Sequence, residues 1–101
     1  MLELRPICEH CAKDLAPDSG EAMICSFECT FCRDCVTALE NVCPNCGGGF
    51  CLRPVRPVRN WKADNFLAHY PASATPKHRP VDLEKHASFA ALIKTISPNQ
   101  R

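Results

Sequence analysis

The sequence has few aromatic side chains and no long hydrophobic run. Phe, Trp and Tyr make up 7% of its 101 residues, and no stretch reaches the roughly 20 apolar residues that a membrane-spanning helix needs. The first ten residues, MLELRPICEH, lack the continuous apolar segment of an export signal, because Glu3, Arg5 and Pro6 interrupt them. The sequence therefore predicts a cytoplasmic protein with no membrane partner.

Cysteine is the residue type that the chain has in excess. Nine of its 101 residues are cysteine and nine are proline, a composition that buries little apolar surface and indicates a cross-linked or metal-held scaffold. Disulfide frameworks are typical of exported chains with an even number of cysteines. Here the number is odd and the cysteines fall in close pairs, so the pattern favours metal ligation.

The charges are divided unevenly between the two halves of the chain. Residues 1–51 contain three basic and eight acidic side chains, whereas residues 52–101 contain nine basic and three acidic ones, so the formal charges are −5 and +6. Thiolates that bind metal make the first half still more negative. An acidic cysteine module is a poor match for a phosphate backbone, so we do not expect nucleic acid to be the partner.

Three segments follow one another along the chain. Residues 1–51 contain every cysteine, residues 52–80 are irregular and rich in Pro and Arg, and residues 81–97 have the pattern of an amphipathic helix with Asp82 as N-cap and Pro98 as stop. The apolar residues of this helix recur at helical spacing: Leu83, Ala87, Ala90 and Ile93, widened by Phe89, Leu92 and Ile96. We expect this face to pack on the cysteine module or on a second copy of the chain, with docking of another partner as the alternative.

Short elements are predicted inside the first segment. Residues 17–20, PDSG, form a turn signal. Residues 22–24 and the surroundings of Phe31 have the composition of two short hairpin strands, and residues 33–42 contain helix formers with spaced apolar positions.

The second segment contains a three-residue period. Arg53, Arg56 and Arg59 recur at the repeat of a polyproline II helix, so they would share one face. Three interpretations stay open: a stiff linker, a strap whose arginines meet the acidic module, and a recognition site for an anion or a partner. Trp61 and Phe66 are expected to cover an apolar side of the module.

The cysteine spacing defines eight metal ligands. From Cys8 to Cys46 the ladder is C-x2-C-x13-C-x3-C-x2-C-x2-C-x7-C-x2-C, and a two-residue gap lets a tight turn present two sulfurs to one tetrahedral zinc. The ligands form either two sequential sets of four or two interleaved sets. Spacing favours interleaving only modestly, since it makes each metal close a loop around the other. Cys51 is left over and is predicted to be a small buried residue, with a redox-active thiol or an exchangeable ligand as the alternatives.

The ladder and the residues between its cysteines resemble a RING finger, a treble-clef-like cross-brace zinc fold. The likeness covers residues 8–46 and includes CTFCRDCV and CPNC. It implies a small metal-stabilised α+β fold with two Zn²⁺ in interleaved tetracysteine sites. The first site would consist of Cys8, Cys11, Cys32 and Cys35, and the second of Cys25, Cys29, Cys43 and Cys46. Cys29 stands where RING fingers commonly have His.

Over its whole length the chain resembles the short bacterial proteins catalogued as domain of unknown function 1272. The stretches that carry this likeness are LELRP, CEHC, AMICSFECTFC, CPNCGGGF, RPVRP, NW and the PVDL…HA helix. That family comes with no established activity, so the resemblance strengthens the architecture without naming a function.

The sequence predicts a protein-interaction or regulatory module that is stabilised by zinc and is not an enzyme. Two complete tetrathiolate sites leave no open position on either metal for a reacting water molecule. The partner would be a protein of unknown identity, and the C-terminal helix offers a surface for self-association.

A ubiquitin-ligase-like platform is one alternative, because RING ligases work as binding platforms. The positions at which those ligases dock their partner hold Glu9–His10 and Gly47 here, and the second loop has seven residues without tryptophan. Pro44 fits the ligase pattern, and Leu39 or Val42 is a partial substitute for the missing apolar contacts.

Two further alternatives come from other features. The run C29-x2-C-x2-C35, followed by Cys43-Pro44, is similar to a ferredoxin motif and suggests an iron–sulfur protein. A nucleic-acid-binding zinc protein would use the three arginines of the second segment.

Overall fold

The computed structural model describes all 101 residues and contains one small antiparallel sheet and two helices. The elements are β1 (Ala22–Ile24), β2 (Thr30–Cys32), α1 (Arg33–Ala38), β3 (Cys51–Leu52) and α2 (Leu83–Ile93), followed by a 3-10 turn at Pro98–Gln100. The strand order in the sheet is β2-β1-β3. Neither helix combines the length and apolar content of a membrane span. The predicted α+β class is confirmed.

The hairpin of β1 and β2 confirms the two predicted strands. Met23 pairs with Phe31, and Ile24 pairs with Thr30. The next pair in this register is Cys25 and Cys29, whose backbones are joined by a 3.2 Å bond from the amide of Cys25 to the carbonyl of Cys29. The hairpin thus places two cysteines of the ladder at its open end.

Helix α1 is shorter than the predicted segment 33–42. It ends at Ala38, and Glu40 and Asn41 both have a φ of 56°. A right-handed helix cannot continue through left-handed residues, and Asn is among the residues that tolerate this conformation best. The chain therefore turns away after Leu39, whose side chain stays fully buried.

Helix α2 begins as predicted but buries a different face. The Asp82 carboxylate accepts hydrogen bonds from the amides of Glu84 and Lys85, at 3.1 and 3.2 Å, which confirms the N-cap. The helix ends at Ile93, inside the predicted range 81–97. Of the predicted apolar stripe, Ala90 is buried and Ile93 is half-buried, but the other five members are exposed: Leu83, Ala87, Phe89, Leu92 and Ile96. The helix buries His86 together with Ala90, because the His86 ring bonds the carbonyl of Leu39 at 2.9 Å.

The core lies almost entirely in the first segment. An apolar cluster of 11 buried residues lies between positions 8 and 43, and six of its members are cysteines. Phe31, Leu39 and Leu15 are its largest side chains. Such a core is small for 101 residues, and thiols make up much of it, so its packing depends on what the sulfurs bind.

The second segment is a strap that lies against the module. The guanidinium of Arg53 is buried and donates to the carbonyls of Arg5 and Ala16, at 2.9 and 3.0 Å. Burial, together with the charge of Arg56, lowers the pKa of Arg53. Arg56 donates to the carbonyl of Leu2 at 2.7 Å. The strap interpretation is therefore favoured, but its arginines contact backbone carbonyls rather than the acidic side chains expected from charge.

Two expectations for the second segment have different outcomes. Arg53 and Arg56 both direct their guanidinium groups to carbonyls of the first segment, whereas Arg59 is exposed. Trp61 does not cover the module: 75% of it is exposed, and its ring lies 6.0 Å from the guanidinium carbon of Arg59. The segment reaches the module through polar backbone contacts, which leave the indole free.

Candidate metal centre

Two C-x2-C turns, which we call knuckles, have the same backbone geometry. In each, the amide of the first cysteine donates to the carbonyl five residues later, and the amide four residues later donates back to that cysteine. These bonds measure 2.9 and 3.0 Å at Cys8 and 2.8 Å each at Cys43. The residue after the second cysteine is left-handed in both, with φ of 63° at Ala12 and 79° at Gly47. The reversal presents both sulfurs of a knuckle to one side.

The first knuckle faces the junction of β2 and α1. The sulfurs of Cys8, Cys11, Cys32 and Cys35, which we call the first group, all lie within 4.8 Å of one another. Cys11 Sγ and Cys32 Sγ are 3.8 Å apart. Three of the four residues are buried and Cys11 is exposed. These are the four residues of the first interleaved set, and they come from two pairs that lie 21 positions apart in the sequence.

The second knuckle faces the open end of the hairpin. The sulfurs of Cys25, Cys43 and Cys46, which we call the second group, lie within 4.8 Å of one another. Cys29 is the fourth residue that the sequence predicts here, but its sulfur is outside this mutual distance. Cys29 is nevertheless buried, and its sulfur accepts a 3.4 Å hydrogen bond from the side-chain amide of Asn45.

The environment of the thiols governs how readily they ionise. Burial raises the pKa of Cys35, and the neighbouring Cys32 thiol reinforces the effect. Burial likewise raises the pKa of Cys43. At Cys8 burial acts to raise the pKa, but the backbone amides of Cys11, Cys32 and His10 outweigh it and the net pKa is lowered. Since a metal must displace thiol protons, its binding weakens as the pH falls.

The donor set fits a thiophilic metal. All nine cysteines are free thiols, with no disulfide between them, so the expectation that they do not form a disulfide framework agrees with the structure. Sulfur-only ligands in a tetrahedral cluster are typical of zinc and of iron–sulfur centres. The two cysteine groups are therefore compatible with a metal-binding module.

A buried carboxylate beside the first knuckle was missed by the sequence reasoning. Glu9 is 1% exposed and accepts hydrogen bonds from Arg5 at 2.8 Å, from the amide of Thr30 at 2.6 Å and from Arg79 at 2.8 Å. Nothing in the sequence indicated a partner for Glu9, because Arg79, which binds it, lies 70 positions away. Glu9 connects the knuckle to the start of the C-terminal part of the chain.

The C-terminal part covers one side of the cysteine module. The amide of Val81 donates to Nδ1 of His10 at 2.8 Å, and Lys94 pairs with Glu40 at 2.9 Å. Arg101 donates to the carbonyl of Gly47 at 3.1 Å. Together with the bond from His86 to the carbonyl of Leu39, these contacts span both knuckles and the loop after α1.

Three residues considered for recognition or exchange lie elsewhere than expected. Leu39 and Val42 are both fully buried, so neither is available to a partner. Cys51, predicted to be buried, is exposed. Its strand β3 is an edge strand that pairs with β1 on one side only, at Ile24, and an edge strand leaves its other side open to solvent.

Comparisons with known proteins place the same residues in one family. Residues 1–56 match the family described as "Protein of unknown function (DUF1272)". An uncharacterized protein of Rhizobium meliloti (strain 1021) is 54% identical over 81 residues, which cover 79% of this chain and 89% of that protein. No solved structure matches the chain significantly. The matched range contains all eight cysteines of the ladder and the buried Arg53.

Proposed function

This chain belongs to the family described as "Protein of unknown function (DUF1272)", and from that premise we propose that it is a zinc-stabilised, RING-like module that binds or regulates a protein partner and has no catalytic activity. The observation that carries the proposal is the gathering of four sulfurs, from Cys8 to Cys35, within 4.8 Å. Only 20 of 101 residues are buried, so a metal that adds about 10 kcal/mol per site supplies what this core lacks.

Zinc is better supported than an iron–sulfur cluster. The ferredoxin-like run requires Cys29, Cys32 and Cys35 to gather around one cluster. In the structure, Cys32 and Cys35 belong to the first group, whereas Cys29 lies beside the second group. Elemental analysis of the purified protein tests the choice. We expect a colourless protein with two zinc ions per chain; brown protein containing iron and sulfide would overturn the zinc assignment.

The contacts of the C-terminal part argue against the ligase alternative. Glu9 and His10 occupy a position at which RING ligases dock their partner, and both are bonded to the chain's own residues, Arg79 and Val81. At Gly47, an added Cβ would lie 3.4 Å from the side chain of Ile93. We expect no discharge of a ubiquitin-charged conjugating enzyme by the zinc-loaded protein, and discharge at the rate of a true RING ligase would contradict the proposal.

Nucleic acid is also poorly supported as a partner. Arg53 is buried and Arg56 is bonded to backbone carbonyls, so only Arg59 of the three arginines is free to contact phosphate. We expect no salt-dependent retardation of DNA or RNA in a gel. Retardation that weakens with salt and disappears in Arg59→Ala would revive this alternative.

The interaction role is supported by exposed aromatic side chains. Phe27 is 72% exposed and Trp61 is 75% exposed. Large aromatic side chains are unfavourable in water and are enriched at protein interfaces, so these two residues favour a binding surface. A pull-down with the zinc-loaded full chain tests the role. We expect Phe27→Ala or Trp61→Ala to lose a bound protein that Val58→Ala retains, with zinc content unchanged. Identical recovery by all three variants would contradict an interaction through these aromatics.

A further inference from the structure

The two cysteine groups are not equivalent, and an inference about their difference rests on the proposed zinc function. Four sulfurs lie within 4.8 Å of one another in the first group, but only three do so in the second. The sulfur missing from the second group belongs to a residue that is 6% exposed. Cys29 is therefore not lost to solvent; it is held inside the protein next to a site that it does not join.

The hairpin shows why Cys29 stays close. Cys25 and Cys29 are opposite each other in the register of β1 and β2, and their backbones are bonded at 3.2 Å. Paired residues of an antiparallel hairpin project from the same face, with Cβ atoms about 4.5–5.5 Å apart. A change of side-chain rotamer alone can therefore move the Cys29 sulfur toward or away from the second group.

Asn45 provides a competing position for that sulfur. It lies inside the second knuckle, between Cys43 and Cys46, and its side-chain amide donates to Cys29 Sγ at 3.4 Å. The loop that carries Cys29 is also constrained, since Glu28 has a φ of 66°. The knuckle thus holds the fourth sulfur by a hydrogen bond beside the other three.

Each group has one exposed cysteine, Cys11 or Cys46, but only the second group has clefts beside it. A cleft of about 360 Å³ is lined by Cys46 and Phe27, and a second cleft of about 460 Å³ is lined by Cys25 and Phe50. Ser26 contributes to both, so the clefts flank one loop. None of the four clefts in the structure is lined by a cysteine of the first group.

We propose that the second group holds zinc through three fixed thiolates, Cys25, Cys43 and Cys46, and that the fourth position exchanges between Cys29 and the thiolate of a small external thiol. In the exchange the external sulfur binds as it gives up its proton, and the departing Cys29 thiolate takes one up. No electrons are transferred. Zinc in the second group is consequently the metal that leaves the protein first, while the first group retains its metal.

Zinc release from the loaded full chain tests this directly. A chromophoric chelator in excess should remove one equivalent at least tenfold faster than the other, in two phases of equal amplitude. Addition of 2-mercaptoethanol should accelerate the fast phase and leave the slow phase unchanged. Release of both equivalents in one phase, or a fast phase that does not respond to the thiol, would overturn the inference.

Matched serine variants identify the exchanging residue. Cys29→Ser should still bind two zinc ions at saturation, with an affinity at the weaker site that falls by less than about tenfold, whereas Cys25→Ser should lose one equivalent completely. Replacement of a permanent ligand is expected to be far more damaging than the 10–100-fold typical of outer-shell changes. Equal loss of one equivalent in both variants would show that Cys29 is a permanent ligand.

Cobalt spectra of the wild-type chain provide a readout that needs no ligand substitution. The visible bands of protein-bound Co²⁺ depend on how many thiolates surround it. We expect the bands of one Co²⁺ to change on addition of 2-mercaptoethanol and the bands of the other to stay constant. Two identical, unresponsive four-sulfur spectra would contradict an exchangeable position.

Asn45→Ala tests the competing hydrogen bond. Removal of the amide frees Cys29 to join the metal, so the fast release phase should slow by severalfold. A faster release would instead mean that Asn45 positions Cys29 as a permanent ligand, and the inference would be wrong. A chain that binds no zinc overturns both this inference and the proposed function, whereas two equivalents released in a single phase overturn this inference alone.

Discussion

The two halves of this chain are held in place by different forces. Of the 20 buried residues, only Arg53, His86 and Ala90 lie beyond position 51. The first half has an apolar cluster in which six of 11 members are cysteines. The second half has no such cluster and is fixed by hydrogen bonds that end largely on backbone carbonyls of the first half. The structure of the second half is therefore conditional on that of the first.

This difference has a physical basis in what each type of contact requires. A thiol cluster becomes stable when a metal neutralises the repulsion between thiolates. A guanidinium that donates to carbonyls needs those carbonyls already in position, as Arg53 shows with the carbonyls of Arg5 and Ala16. The dependence therefore has one direction, from the cysteine module to the strap and the helix.

Metal removal is expected to have the largest effect on this comparison. Treatment with EDTA should unfold residues 8–46, because about 10 kcal/mol per zinc site is comparable with the whole stability of a small domain. Helix α2 should then be lost as well, since its partners lie in the module. NMR amide signals of β1, β2 and α2 report both events. Signals of β1 and β2 that survive complete metal removal would disprove a structural role for zinc, and an isolated α2 that persists would disprove the dependence.

Truncation of a core aromatic should have the next largest effect. Phe31 is 1% exposed and packs edge-on against Phe50, with ring centres 5.5 Å apart. Phe31→Ala should lower the free energy of unfolding of the zinc-loaded protein by about 3–5 kcal/mol. The matched control is Phe27→Ala, which removes an exposed ring and should change stability by less than about 0.5 kcal/mol. Urea denaturation at constant zinc measures both, and similar losses would contradict the assigned core.

Removal of the buried Arg53 guanidinium should lower the free energy of unfolding by less than Phe31→Ala does. Arg53→Met keeps a long apolar side chain but deletes two charge-assisted hydrogen bonds, so the free energy of unfolding should fall by about 2 kcal/mol. Arg59→Met, at an exposed position of the same period, should be nearly neutral. Denaturation curves compare the two, and protection of the amides in residues 52–80 should fall only in the first. Equal stability of the variants would mean that the strap is a passive linker.

The N-cap of α2 should have the smallest effect. Asp82→Ala removes the acceptor for two backbone amides and should destabilise the helix by about 1 kcal/mol. Glu84→Ala retains the cap and is the matched control. Hydrogen exchange of the α2 amides measures the difference. The cysteine module should be unaffected, so faster exchange in β1 would show that the first half depends on the second after all.

Local features were predictable because their causes are local. The two strands of the hairpin follow from short apolar runs around a turn, and the start of α2 follows from a single carboxylate at Asp82. The knuckles follow from pairs of cysteines with two residues between them. Helix α1 was predicted four residues too long, because the left-handed conformation of Glu40 and Asn41 has no clear composition signal.

Contacts between distant residues decided the rest. Arg79 reaches Glu9 across 70 positions, and His86 selects the buried face of α2 by bonding a carbonyl 47 positions away. The strap interpretation was one of three that the sequence left open, and it paired the arginines with the acidic module. Arg53 instead binds carbonyls, because a buried guanidinium needs several acceptors and the backbone of the module supplies them.

The cysteines show which features follow from sequence spacing and which depend on the folded structure. By itself the sequence determined which eight thiols belong together in closely spaced pairs, since a tight turn sets the distance between neighbouring sulfurs. Spacing alone left sequential and interleaved groupings open. The tertiary structure brings Cys8 and Cys11 together with Cys32 and Cys35 and leaves the Cys29 sulfur outside the group of Cys25, Cys43 and Cys46. Spacing constrains sulfurs within one turn, but the distance between turns depends on hairpin register, loop conformation and competing hydrogen bonds such as that of Asn45, which exist only in the folded chain.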